Sequence, residues 1–104
     1  MVVGVSVCEF HLPGVRSLKG KRKIIKSLVE RLHKRYRISI AETKFHDLHQ
    51  RAEISIAAVG QRDREVEHLL DDLRSVVESE PEAFVTLWNH EVLTMDSSDH
   101  HFSP

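Results

Sequence analysis

From residue 2 to 12, apolar and small side chains alternate with the period of a strand. Val3, Val5 and Val7 fall on one face, and Ser6, Cys8 and Phe10 on the other. Pro13-Gly14 punctuates the pattern as a loop, and the hydroxyl of Ser17 suits a helix N-cap. The period then changes. Projected at about 100° per residue, Leu18, Ile24, Ile25, Leu28, Val29, Leu32 and Tyr36 share an arc of about 140°, so residues 18 to 36 predict an amphipathic helix with that face buried. Alternation returns over residues 37–46 and 50–59, with Ala52, Ile54, Ile56 and Ala58 on one face, predicting two strands joined around residues 46 to 50. Gly60 interrupts, Asp63 is placed to cap, and Val66, Leu69, Leu70, Leu73, Val76 and Val77 recur at helical spacing until Pro81. Phe84 to Met95 reads as a last strand, and residues 96–104 as a polar C-terminal tail.

Strand, helix, strand, strand, helix, strand is the split β-α-β order. It predicts an α+β ferredoxin-like sandwich, a four-stranded antiparallel sheet with two helices on one face, occupying residues 1–95 as one domain. In that topology the end of the first strand, the start of the first helix and the turn between the second and third strands meet at one end of the sheet. His11, Arg16, Lys19, Lys21, His46, Asp47, His49 and Arg51 are expected there. The face away from the helices is expected to carry Phe10, Cys8, Ala41, Ala57 and Trp88 beside Arg51, Glu53 and Ser55.

Composition narrows the function classes. With 104 residues, 40% of them hydrophobic and 30% charged, the chain is neither a disordered tail nor a membrane span; its longest apolar run, Ile56 to Val59, is far below the roughly 20 residues a spanning helix needs. The first residues lack the basic segment of a signal peptide, and the single Cys8 has no partner for an internal disulfide. Both point to the cytoplasm. The formal net charge of −1 conceals an uneven distribution: residues 1–60 hold 12 Lys or Arg against 5 Asp or Glu, and residues 61–104 hold 3 against 11.

Most of the positive charge sits in the first helix and its flanks. Residues 16 to 37 contain ten basic residues and one acidic residue, Glu30. Lys19, Lys21, Arg22 and Lys23 occupy the first two turns, where free backbone N–H groups already make the helix end positive, a local cost of about 0.3 to 1 kcal/mol for each nearest charge at low salt. A cationic helix start behind a Pro-Gly loop suits a phosphate, because backbone donors, dipole and side chains converge on it. The expected polyanion-binding set is Arg16, Lys19, Lys21, Arg22, Lys23 and Lys26, with Arg51 flanking. Lys21 falls within the apolar arc, with its ammonium directed toward the loop end. A basic helix is also an ordinary solvated face, and the acidic second helix offers carboxylates to neutralise it.

Other chemistry is weaker. An RNA-recognition motif shares the strand order but stacks bases on central-strand aromatics, a signature missing here. His46 and His49, with His11 near, raise a metal reading, but two turn histidines and one Asp are a common arrangement, and no metal or other cofactor is assigned. Cys8 reads as a packed thiol rather than a nucleophile. Acylphosphatases also place a loop and an arginine before the first helix of this fold, which Pro13-Gly14-Val15-Arg16 echoes faintly, but the one asparagine, Asn89, falls on the last strand. No catalytic residue is assigned.

Two blocks carry a more specific signal: H-L-P-G-V-R-S-L-K-G-K-R at residues 11–22 and I-S-I-A-E-T-K-F-H-D-L-H-Q-R-A at residues 38–52. The chain resembles the YlxP-like family, small bacterial proteins of uncharacterised function, to about residue 95. The matching positions are Ser17, Leu18, Lys19, Lys21 and Arg22, then Ala41, Glu42, Asp47, Gln50, Arg51 and Ala52; His49 stands where the family often has Trp. The resemblance implies a ferredoxin-like fold. Its genes often lie beside those for translation and ribosome-maturation factors, which turns the basic helix toward ribosomal RNA. The function expected is therefore a non-enzymatic module binding ribosomal RNA or a ribosomal particle. The alternatives are a homodimer or protein-interaction module working through the open sheet face, and a small anion-processing enzyme.

Overall fold

A computed structural model of the chain describes residues 1–96. The elements are β1 (Val2–His11), α1 (Leu18–Arg35), β2 (Ser39–Lys44), β3 (Arg51–Gly60), α2 (Asp63–Glu78) and β4 (Phe84–Thr94). The four strands form one sheet in the order β2-β3-β1-β4, with every neighbouring pair antiparallel. This is the ferredoxin-like βαββαβ arrangement. Of the polar tail expected at 96–104, residues 97–104, including His100 and His101, lie outside the described residues.

β1 is the central strand, paired along its whole length with β3 and β4. The helices cover one face of the sheet. Ile25, Leu28 and Leu32 of α1 and Val66, Leu70, Leu73 and Val77 of α2 join Cys8, Phe10, Ala52, Ile54, Ile56 and Ala58 in a single core. Gly4 marks a close approach of α2, since a Cβ there would stand 2.5 Å from Val66 Cγ1 and 3.1 Å from Leu70 Cδ1. A short polar chain ties β4 to α2. The Trp88 indole N–H donates to His90 Nδ1 at 2.8 Å, and His90 Nε2 lies 3.2 Å from Glu67 Oε2, an arrangement that the Nε2–H tautomer satisfies at both ends.

The faces of β1 are the reverse of the expectation. Val2, Ser6, Cys8 and Phe10 are buried against the helices, while Val3, Val5 and Val7 lie on the open face. Trp88, opposite Cys8, also belongs to the helix side; Ala41 and Ala57 do lie on the open face. Both parities of a central strand are apolar, so alternation marked the strand without choosing its inner side. A smaller correction concerns Asp63. It is the first residue of α2 rather than its cap, Arg62 being the cap residue, and its Oδ1 accepts a 2.8 Å hydrogen bond from Thr94 Oγ1.

Candidate functional site

The site forms at the loop end of the sheet, where the β1–α1 loop, the first turns of α1 and the β2–β3 turn meet. Ser17 caps α1 from an extended backbone, its Oγ accepting from Gly20 N at 3.0 Å. No acidic residue occupies the first turn of α1, whereas α2 opens with Asp63 and Glu65. The cationic start of α1 is therefore not offset within its own first turn.

Lys19, Arg22, Lys23 and Lys26 fall at i, i+3, i+4 and i+7, so they form one exposed stripe along two turns of the helix, about 10 Å from first to last. Among the described residues none of these four, nor exposed Arg16, lies within 4.0 Å of a carboxylate oxygen. Among the described residues, the expected neutralisation by the acidic half of the chain is confined to one contact, Arg31 with Glu80, just beyond α2. Lys23 does share a groove of about 570 Å³ with Glu80 and Glu82, so the acidic side of the molecule begins immediately beside the stripe.

Lys21 departs from this set and corrects the expectation for it. Its side chain has no solvent exposure. The ammonium donates to Phe45 O at 2.6 Å, Arg51 O at 3.2 Å and His46 O at 3.5 Å, and lies 3.2 Å from Glu42 Oε2. The Glu42 contact is an ion pair without hydrogen-bond geometry, leaving Oε2 buried with no hydrogen bond of its own. Placed on the apolar stripe with Ile25, Leu28 and Leu32, Lys21 sends its stem through the core and its head to the turn carbonyls. It clamps the turn and is not available to an external phosphate.

The turn is fastened from the other side as well. Gln50 Nε2 donates to Val15 O at 3.2 Å and Pro13 O at 3.4 Å, while Gln50 O accepts from Leu12 N at 2.9 Å and lies 3.2 Å from His11 Nδ1. Phe45, with φ of 64°, takes the left-handed conformation that a bulky side chain rarely adopts. Arg51 stacks over its ring at 3.8 Å and lies 3.5 Å from Glu9 Oε2. Glu42, Phe45 and Gln50 were absent from the expected site. Glu42 and Gln50 stood in the second sequence block, but only the contacts reveal what they do.

Of the histidines, His11 turns to the Gln50 carbonyl and His46 Nε2 lies 3.2 Å from Glu42 O. Among the described residues there is no group of three or more His, Cys, Asp or Glu placed to hold a metal ion. Asn89 pairs opposite Val7 in mid-sheet, apart from the loop that carries Arg16. Cys8 is buried, and the apolar surroundings push its thiol up to about 12 from an ordinary value of 9.0, with Glu78 adding to the effect and Arg74 opposing it. No helix of the described residues is long and apolar enough to cross a membrane.

The sequence pattern of a family described as "Protein of unknown function (DUF503)" matches residues 3–90, most of the chain. The chain belongs to the DUF503 family. An "Uncharacterized protein YlxP" of Bacillus subtilis (strain 168) is 31% identical over 81 residues, which cover 78% of this chain and 88% of that protein. The YlxP-like resemblance read from the two blocks thus extends across the sheet and both helices. The DUF503 match spans β1 through most of β4, so the clamp, the turn and the cation stripe all fall within it.

Proposed function

We propose that the protein is a non-enzymatic RNA-binding module that meets ribosomal RNA or a ribosomal particle through the outer face of α1. The observation that carries this reading is the stripe of Lys19, Arg22, Lys23 and Lys26, exposed at helical spacing and without a carboxylate within 4.0 Å among the described residues. Arg16, exposed in the preceding loop, extends it. Such a surface engages phosphates by charge and releases counterions, which gives affinity without reading sequence. The acidic second half of the chain would then turn away from the RNA and fix the orientation of the bound module.

Binding to ribosomal RNA measured across a salt series tests this. Log affinity is expected to fall linearly with log salt, and Lys23→Glu with Lys26→Glu to flatten that slope by about 1.5, the loss of two phosphate contacts. An affinity indifferent to salt, or no binding, would overturn the reading.

A second reading, a homodimer through the open sheet face, is favoured by exposed apolar side chains there. Val5 is 37% exposed, Leu87 41%, Leu93 52% and Val59 70%. A patch of this kind suits a second sheet.

A further inference from the structure

At the loop end of the sheet, His11, Leu48, His49, Arg51 and Thr86 line an open cleft of about 460 Å³. Its lining shares no residue with the cation stripe, and its chemistry differs. We propose that this cleft receives one unpaired nucleobase of a single-stranded RNA, an inference that rests on the RNA-binding reading of α1 and assigns it a substrate class.

A nucleobase is a flat group with apolar faces and polar edges. The cleft offers matching parts. Leu48, 48% exposed, supplies apolar surface, and the exposed imidazoles of His11 and His49 supply planes on which a base can stack. Arg51 supplies a third plane. One face of its guanidinium rests on the Phe45 ring, yet 52% of its side chain remains exposed. Glu9, 3.5 Å from that guanidinium, offsets its charge and repels a phosphate, so a neutral base suits the position better than the backbone does. Thr86, at the bulge where β4 slips one residue against β1, adds a hydroxyl-bearing side chain to the lining.

The walls are already fixed in place. Lys21 holds the carbonyls of Phe45, His46 and Arg51, and Gln50 ties the other side of the turn to Pro13 and Val15. A base entering the cleft therefore need not order the turn that bears Leu48 and His49. Bases within a duplex are stacked on one another and cannot enter, so the cleft distinguishes single-stranded from double-stranded RNA.

The test compares a short single-stranded RNA with a blunt duplex of the same length, using the full chain and fluorescence anisotropy over a salt series. The single strand is expected to bind more tightly. His49→Ala, and independently Arg51→Lys, which keeps the charge but removes the planar fork, are each expected to weaken single-strand binding about ten-fold while leaving duplex affinity and the salt slope unchanged. Equal affinity of the native protein for both RNAs with the salt slope intact, or equal losses for both RNAs in the variants, would overturn the cleft and leave the α1 reading standing. Absence of salt-dependent binding to either RNA would overturn both.

Discussion

The ammonium of Lys21 has four oxygen neighbours between 2.6 and 3.5 Å, three of them backbone carbonyls and one a Glu42 carboxylate oxygen. A charge taken out of water is tolerable only with such company, and removing one partner leaves the others stranded. Lys21→Met is expected to lower stability by about 3 to 5 kcal/mol in chemical denaturation, and Lys21→Met with Glu42→Gln to recover part of that loss. Additive losses in the double variant would mean that the two side chains do not depend on each other. Cys8 gives a prediction of another kind. Its thiol keeps its proton to about 12 in the fold but releases it near 9.0 when unfolded, so between those values the folded state binds more protons and stability falls as pH rises. Denaturation midpoints should decline above pH 9 in the native protein and decline less in Cys8→Ala, and the native thiol should resist alkylation until the chain unfolds.

At the scale of elements, α1 carries two unlike stripes on one cylinder. Ile25, Leu28 and Leu32 face the sheet, while Lys19, Arg22, Lys23 and Lys26 face outward. The helix pays for its cationic start through core packing and the Ser17 cap, and recovers some stability at its other end, where His33, Lys34 and Arg35 suit the dipole. α2 depends on closeness to β1. Adding a methyl at Gly4 brings it to 2.5 Å from Val66 Cγ1, so Gly4→Ala is expected to cost about 1 to 3 kcal/mol, with Val66→Ala restoring part of it in the double variant. The boundaries of both helices were legible because their apolar periods are long and bounded by Ser17, Gly60 and Pro81. Asp63 was misplaced by one residue because its oxygen bonds Thr94 of a distant strand rather than the helix start.

Among the described residues, the ion pair that joins the basic first half of the chain to its acidic second half is Arg31 with Glu80, which ties α1 to the segment after α2. The open sheet face offers a separate surface. If it is a dimer contact, sedimentation should show association that rises with concentration, and Leu93→Glu, at a position 52% exposed, should abolish association without unfolding the protein. A monomer at all concentrations would leave that face to other uses. By itself the sequence determined the six elements, their order, the sandwich they form and the surplus of cations on α1, because periodicity and charge repeat along the chain and need no distant partner. Tertiary structure alone decided which side of β1 is buried, that Lys21 serves as an internal clamp while its neighbours remain in solvent, and that His11, His49 and Arg51 share a cleft. Each of those outcomes depends on which remote segment arrives beside the residue, and burial, unlike periodicity, is a property of the pair.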